Sequence, residues 1–348
     1  MTTFFGIILV VLAGLGTGTV MWPMKRIKRL QFEHYWFIAM LLGLLIIPWT
    51  IVILRIPNPF AAYAQVSWHI LLKANFFALL WGVANVLYGL CVVRIGAALT
   101  GAIMSGLGIT VGATLPMVMK GTGLFAHAPD IMSHSGLVLM AGLAVILTGV
   151  MFSSFAGFGR AKALAGSTSV SLSRGLQGSF TTGLVMAVIA GVTSAGSALC
   201  FVYGQAPIKE AMATQGVDTM TADVAVWAMA LMSGALVNII YPAWMMTKKK
   251  NWGVLFKNPG EALLATIGGI QLIIAFTLMG RGMLLLGVFG ASVGFAIQQT
   301  LQIMGNQAVG FLSGEWKNVY GKPRRLMYTA LVVLVVAVLI VALSNNIV

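Results

Sequence analysis

The chain has 348 residues, of which 59% are hydrophobic and only 8% are charged, and its mean hydropathy is +0.97. Soluble domains carry about a quarter charged residues, so this composition excludes a soluble enzyme. It also excludes a disordered chain, because so apolar a sequence would not stay solvated. The formal net charge of +14 would suggest nucleic acid as the partner of a soluble protein, but here the positions of the basic residues indicate a membrane topology.

Ten stretches are long and apolar enough to cross a bilayer. A hydrocarbon core about 30 Å thick requires roughly 20 mostly apolar residues per helix, and the polar or Gly/Pro-containing links belong where backbone groups can reach water. The sequence therefore predicts an all-α integral membrane protein with ten transmembrane helices. We number these spans 1 to 10 at residues 4–22, 35–54, 70–91, 96–117, 135–154, 179–203, 223–246, 261–279, 283–304 and 326–345.

The basic residues indicate how the spans are oriented. Lysine and arginine are enriched in cytoplasmic loops, and most of the 21 lie in the loops after spans 1, 3, 5, 7 and 9. The opposite side carries only Arg55, Lys73, Lys120, Lys209 and Arg281. This alternation predicts cytoplasmic odd-numbered loops and both termini in the periplasm. It also removes the argument for a nucleic-acid partner.

The spans fall into two groups of five. A Gly/Ser/Ala-rich basic connector at residues 156–178 separates an N-terminal half, residues 1–155, from a C-terminal half, residues 179–348. Because each half has five spans, the second half must run opposite to the first. Inverted repeats with a substrate site between them, near the midplane, are common in secondary transporters. We predict a five-plus-five inverted repeat, with a bundle that lacks internal symmetry as the alternative.

Tryptophans frequently anchor span ends in the membrane interface. Six of the nine tryptophans lie at or near predicted span ends, as such anchors should: Trp22, Trp36, Trp49, Trp68, Trp227 and Trp244. Trp81 is an exception, because it lies inside span 3.

The titratable residues form no catalytic set in the predicted interior. All seven acidic residues and all four histidines lie in loops or at span ends. An intramembrane protease or metal enzyme needs a nucleophile with its base, or ligating carboxylates and histidines, inside the bundle. Cys91 and Cys200 give neither a disulfide framework nor a metal-binding spacing. We therefore predict no enzyme, no metal and no cofactor.

Neutral polar side chains occupy the predicted interior instead. Trp81, Asn85 and Tyr88 are spaced i, i+4, i+7 and therefore share one face of span 3. An indole suits the apolar face of a sugar ring, while amide and phenol groups bond its hydroxyls. Further amides on spans 7 to 9 extend this predicted sugar site: Asn238, Gln271, Gln298 and Gln302. The alternative is that these amides only hydrogen-bond neighbouring helices.

Coupling to protons normally requires a titratable group that the substrate cavity can reach. The candidates all lie at span ends, where a solvated helix cap is the alternative for each: Glu33, His34, Glu210, Asp223 and Glu261. We predict Glu210 as the coupling residue, with Glu33 as the second choice.

Several of these segments give the chain a resemblance to a known family. It resembles the L-rhamnose–proton symporters, a branch of the drug/metabolite transporter superfamily, over most of its length. The more specific matches are the Trp–Asn–Tyr run of span 3 and the Glu–Trp pair before span 10. The matching segments are 23–29 (PMKRIKR) with Glu33 and Trp36, 47–49 (IPW), 81–90 (WGVANVLYGL), 194–196 (SAG), 207–211 (PIKEA), 216–217 (GV), Asn238 and 314–318 (GEWKN).

The resemblance implies ten helices in an inverted repeat and proton-coupled uptake of a deoxy sugar across a bacterial inner membrane. It implies site roles for Trp81, Asn85, Tyr88, Glu210 and Asn238. Our hypothesis is a secondary transporter of a neutral sugar such as L-rhamnose, working by alternating access. The alternatives are an exporter or facilitator of another small polar metabolite, and a non-transporting receptor or scaffold.

Overall fold

The computed structural model describes residues 2–165 and 180–345, and every regular element in these ranges is a helix. The α-helices, in chain order, are α1 (Thr2–Thr19), α2 (Phe32–Met40), α3 (Ile47–Arg55), α4 (Pro59–Gln65), α5 (Trp68–Ile95), α6 (Ala97–Met119), α7 (His134–Ala165), α8 (Phe180–Ser194), α9 (Gly196–Ala213), α10 (Thr219–Ala230), α11 (Met232–Lys249), α12 (Gly253–Lys257), α13 (Pro259–Leu285), α14 (Gly290–Leu312) and α15 (Lys322–Ser344).

The described residues contain eight stretches that are long and apolar enough to cross a membrane, and a ninth if α10 and α11 are counted as one span bent by 59°. The all-α membrane class is thereby confirmed. These nine correspond to spans 1 to 8 and 10. Span 9 falls on α14, which has 23 residues but includes four glutamines and an asparagine, so it is less apolar than the others. The count of ten spans stays a prediction.

Three spans are discontinuous helices. Span 2 joins α2 to α3 through a π-helical segment, Leu41–Ile46, which ends two residues before Pro48, a residue with no backbone N–H to donate. Span 6 is interrupted at Ala195, between α8 and α9. Span 7 bends at Leu231, between α10 and α11. At such interruptions, backbone N–H and C=O groups lack their regular helical hydrogen bonds. Transporters use these interrupted helices to line substrate sites.

Helix α7 is longer than span 5 predicts. The prediction ends the span at residue 154, whereas the helix continues to Ala165 and takes in the first part of the predicted connector. The reason is burial, because Ala156 lies in an apolar cluster with Trp316 and Met327. The rest of the connector, residues 166–179, lies outside the described residues.

Helices from the two ends of the chain interleave in the bundle. Span 1 packs against spans 8 and 9, while span 6 packs against spans 3 and 4. Span 2 packs against spans 7 and 8, span 3 against span 7, and span 5 against span 10. Contacts between the halves therefore hold the bundle together.

Two pairs of glycines bring helices into backbone contact. A Cβ at Gly43 of span 2 would collide with the backbone oxygen of Gly269 on α13. A Cβ at Gly82 of α5 would lie 2.9 Å from the backbone oxygen of Gly234 on α11. Small residues permit this approach of membrane helices, and the second pair lies next to the candidate site.

Candidate functional site

Asn238 lies at the centre of a hydrogen-bonded group from three helices. Its carboxamide is 1% exposed, and its oxygen accepts from Asn85 Nδ2 on α5 at 3.2 Å and from Trp36 Nε1 on α2 at 3.1 Å. Its own amide nitrogen donates to the backbone oxygen of Gly234 at 2.9 Å. Because Gly234 has no side chain, α5 can approach α11 closely enough for Asn85 to reach Asn238. The group therefore links the N-terminal and C-terminal halves.

Trp81 and Tyr88 flank Asn85 on α5. The indole of Trp81 is partly buried and meets the ring of Phe276 on α13 edge to face, with centroids 6.0 Å apart at 86°. The side chain of Tyr88 is 42% exposed.

The polar groups on this face of α5 are largely uncommitted. Within the described residues, no hydrogen bond is formed by the Trp81 indole N–H, the Asn85 carbonyl oxygen or the Tyr88 hydroxyl. Neither the Trp81 nor the Asn85 atom is fully enclosed, because neither is among the buried polar atoms that lack a partner in the described residues. The face thus offers donors and an acceptor, beside an aromatic ring, to a ligand with hydroxyl groups.

Gln298 and Gln302 form a second group, at the contact of α1 with α14. Gln298 is 3% exposed and donates from Nε2 to Thr17 Oγ1 at 2.8 Å and to Gln302 Oε1 at 3.4 Å. Gly14 and Gly18 of α1 face the backbone at these two glutamines, where any side chain would collide. In this conformation the amide of Gln298 bonds a neighbouring helix.

Gln271 lies in a third place, between α13 and α1. Its Nε2 donates to the Gly16 backbone oxygen and to Thr19 Oγ1, both at 2.7 Å, and its Oε1 accepts from Trp22 Nε1 at 3.1 Å. It borders an apolar surface groove of about 250 Å³. The structure brings Trp81, Asn85 and Asn238 together, and it does not bring Gln271 into that group.

The tryptophans show where reasoning from the sequence went wrong. Trp227 is 2% exposed and stacks on Phe201, with centroids 4.8 Å apart, so the prediction of an interfacial anchor is wrong for it. Trp36 also lies at a predicted span end, yet its indole N–H donates to Asn238 Oδ1. Position near a span end does not reveal which way a side chain points. Nothing in the sequence around Trp36 indicates its partner Asn238, which is remote in the chain.

The acidic residues divide into exposed and buried ones. Glu210 is exposed and forms no ion pair within the described residues, which fits a solvated position. Glu33 is 3% exposed and pairs with Lys249 at 2.7 Å, so the solvated alternative is wrong for it. Asp223 is equally buried and lies 2.5 Å from Lys209 Nζ.

Sequence reasoning gave Asp223 too little weight. The sequence did contain an indication. Of the few basic residues in the even-numbered loops, two lie beside this carboxylate in the structure. Lys209, near the end of α9, pairs with one oxygen of Asp223, and Arg281 Nη1 of α13 lies 3.6 Å from the other.

Glu315 closes the opposite end of the bundle. It pairs with Lys25, in the turn after α1, and with Arg160 Nη1 at the end of α7. Partial burial alone would raise the pKa of this carboxyl, but the Lys25 ammonium and the Arg160 guanidinium hold it below its usual value. Three elements from distant parts of the chain are therefore joined at one carboxylate.

No three His, Cys, Asp or Glu side chains come together as metal ligands anywhere in residues 2–165 and 180–345. The site chemistry that the structure does offer is hydrogen bonding and stacking, from neutral side chains.

A bundle of apolar, partly discontinuous helices with uncharged polar groups between distant segments has the architecture of a secondary transporter. The sequence profile of the L-rhamnose-proton symport protein family (RhaT) matches residues 2–346, and the chain belongs to this family, whose members are transporters and not enzymes. The chain is 26% identical over 331 residues to the L-rhamnose-proton symporters of Salmonella paratyphi A and Salmonella typhimurium, with 92% of each chain covered.

Proposed function

We propose that the protein takes up a neutral sugar such as L-rhamnose together with protons, across the bacterial inner membrane, by alternating access. Its family and the names of its relatives support the sugar and the proton. The observation that carries the site is the α5 face on which Trp81, Asn85 and Tyr88 have uncommitted polar groups beside Asn238.

In this site the indole of Trp81 stacks on the apolar face of the sugar ring. The carbonyl oxygen of Asn85 accepts from one hydroxyl group, and the Tyr88 hydroxyl bonds another. Asn238 exchanges one of its two bonds, to Asn85 or Trp36, for a bond to the substrate. Each net hydrogen bond contributes about 0.5–1.5 kcal/mol, so a few of them with stacking suffice for weak, reversible binding.

The glutamines belong to the same proposal through movement of the helices. Gln298 bonds Thr17, and Gln271 bonds Thr19, so both glutamines depend on the position of α1. When α1 separates from α13 and α14 during alternating access, these amides lose their partners. Gln271, Gln298 and Gln302 can then bond the hydroxyls of the sugar in place of α1.

We propose that residues 1–155 and 179–348 form the two inverted repeats, joined by residues 156–178. The pattern of helix contacts supports this symmetry. If each span n is exchanged for span n + 5, the contacts of span 1 with 8 and 9 become those of span 6 with 3 and 4, both of which are present. The contact of span 2 with 8 likewise becomes that of span 7 with 3.

The glycine pairs support the same symmetry at the level of residues. Gly43 on span 2 meets Gly269 on span 8, and Gly234 on span 7 meets Gly82 on span 3. Exchange of the halves converts one pair into the other. The Asn85–Asn238 bond lies next to the second pair, at the interface where inverted repeats place their substrate.

The proposed orientation puts the odd-numbered loops in the cytoplasm and both termini in the periplasm. The pairs of Glu315 with Lys25 and Arg160, and of Glu33 with Lys249, then hold the cytoplasmic ends of the helices together. For the coupling residue, Glu210 and Glu33 stay the predictions made from the sequence.

Uptake of labelled L-rhamnose by proteoliposomes tests this function. An imposed pH gradient, acid outside, should drive accumulation above the external concentration, and a protonophore should reduce it to equilibration. Accumulation that ignores the protonophore would contradict proton coupling. Absence of any saturable uptake, by protein shown to be folded, would contradict transport of this sugar.

A further inference from the structure

Asp223 is a buried carboxylate in a group of three charges. It lies on α10, and its side chain is 4% exposed. Lys209 Nζ on α9 approaches one carboxylate oxygen at 2.5 Å, and Arg281 Nη1 on α13 lies 3.6 Å from the other. The two basic side chains are 21% and 40% exposed. The group ties three helices together.

An ion pair of this kind resists separation. Removing one partner from a buried pair leaves an uncompensated buried charge, which is strongly destabilising. If α9 or α13 moves away from α10, Asp223 faces that cost unless it becomes neutral. A proton on the carboxylate removes the charge and therefore the need for Lys209 and Arg281.

A continuous set of aromatic contacts joins Asp223 to the candidate sugar site. Trp227 lies one helical turn beyond Asp223 on the same face of α10 and packs on Phe276, with centroids 4.8 Å apart. Phe276 in turn meets Trp81, with centroids 6.0 Å apart. The Trp227 Nε1 is fully buried, and within the described residues it has no hydrogen-bond partner. Packed rings therefore connect α10 to Trp81, the ring proposed to stack on the sugar.

We propose that Asp223 is the proton-binding residue of the transporter, and that its protonation releases α10 from Lys209 and Arg281 to permit the conformational change. This inference rests on the proposed sugar–proton symport. The proton adds to one carboxylate oxygen of Asp223, which becomes neutral, while Lys209 and Arg281 keep their protons and their charges. When the helices close again, the two cations restore the carboxylate and the proton leaves.

Other charges near α10 do not replace this role. Asp218 is the N-cap of α10 and accepts from the Met220 and Thr221 backbone N–H groups, at 3.0 and 3.1 Å. The hydrogen bond from the Thr221 hydroxyl contributes most to lowering the pKa of Asp218, and those backbone bonds and Arg55, at the end of α3, lower it further. Asp218 thus serves the helix end as a carboxylate.

Two further charged residues lie on the helices that pack against α10. Lys73 of α5 lies over the Tyr203 ring, 3.8 Å from its centroid, and Glu210 of α9 is exposed. Protonation does little for a conformational change at a carboxylate that water solvates in every conformation. It favours the change strongly at Asp223, because this carboxylate must leave its ion-pair partners.

The test compares Asp223→Asn with Asp130→Asn in proteoliposomes. Asp130 is also paired with a lysine, Lys120 at 2.7 Å, but it is 84% exposed, so it is the matched control. Counterflow exchange of labelled L-rhamnose needs no net proton movement, and we expect Asp223→Asn to keep it while losing proton-driven accumulation entirely. Asp130→Asn should keep both. Accumulation by Asp223→Asn at the level of the unchanged protein would overturn the inference.

A second variant decides the matter if Asp223→Asn does not fold. Lys209→Gln leaves Asp223 with fewer neighbouring cations, which favours its protonated form. Proton-driven uptake should then persist to a higher pH than in the unchanged protein, by about half a pH unit or more. An unmoved pH profile would overturn the inference, because a merely structural ion pair leaves that profile in place. If the unchanged protein itself accumulates no sugar, the proposed function fails and not this assignment alone.

Discussion

Asn85 and Asn238 are 153 residues apart in the chain, yet the amide nitrogen of one donates to the amide oxygen of the other across 3.2 Å. The bond crosses from the N-terminal to the C-terminal half. Asn238 Oδ1 also accepts from Trp36, so one atom holds two donors from the other half. In the proposed site, a substrate that replaces either donor at Asn238 Oδ1 competes with a contact between the halves, so its binding is coupled to their relative movement.

Asn85→Ala should raise the KM for L-rhamnose about tenfold, because one or two hydrogen bonds to the sugar are lost at about 0.5–1.5 kcal/mol each. Initial rates of uptake at increasing sugar concentration measure this. The matched control is Asn75→Ala, on the same helix. The Asn75 amide bonds the Met229 backbone oxygen and the Ser233 backbone N–H, so its loss should lower thermal stability and leave KM unchanged. Equal KM values in the two variants would contradict the assigned role of Asn85.

Trp81→Ala should abolish uptake while expression stays intact, because the stacking surface is removed. Trp81→Phe keeps an aromatic ring and should retain part of the activity. Trp68→Ala is the control, since Trp68 is 64% exposed at the start of the same helix. Uptake kinetics of Trp81→Ala that match those of the unchanged protein would remove the stacking claim.

Gly234→Ala should destabilise the protein, because the new Cβ would collide with the Ala78 backbone oxygen and lie 2.9 Å from Trp81 Cε3. Overpacking of this kind costs about 1–3 kcal/mol. Gly101→Ala, in α6, meets no atom within 4 Å and should be neutral or stabilising by up to about 1 kcal/mol through helix propensity. Thermal unfolding in detergent compares the two, and the same melting temperature for both would argue against backbone contact at Gly234.

The membrane class and nearly all of the spans could be predicted from the sequence, because length and hydropathy are local properties. The break at Leu231 and the extension of α7 could not, since they depend on packing against distant helices. The Trp81–Asn85 face follows from helical periodicity alone. Asn238 reaches Asn85 through the close approach of α5 and α11 at Gly234, and Trp36 reaches Asn238 through the packing of α2 against α11, neither of which is a local property of the sequence.

For the charged residues too, the sequence predicts local position but not contacts between distant helices. The sequence shows that acidic residues lie at span ends, which is consistent with solvated caps. It does not show that Lys209 and Arg281 converge on Asp223. That convergence depends on the packing of α9, α10 and α13, and the burial of Asp223 follows from it.

Glu315→Gln should lower stability at neutral pH, and the loss should shrink as pH falls. The carboxyl has a pKa below its usual value in the folded protein, so its ionised form stabilises the fold above the ordinary glutamate range. That contribution disappears as pH falls through the folded-state pKa. Melting temperatures of both proteins at neutral and acid pH measure the difference. A gap that stays constant down to about pH 3 would contradict a charge-based role.

Counterflow of labelled L-rhamnose into proteoliposomes loaded with unlabelled sugar tests the sugar carrier most directly, because a receptor or scaffold cannot exchange one for the other. The unchanged protein should give a transient overshoot of label that saturates with sugar concentration. In Asn238→Ala the half-saturating concentration should rise about tenfold or more, since the carboxamide that bonds both Asn85 and Trp36 is lost. No overshoot from folded protein, or the same half-saturation in both, would contradict the assignment of this interface as the sugar site.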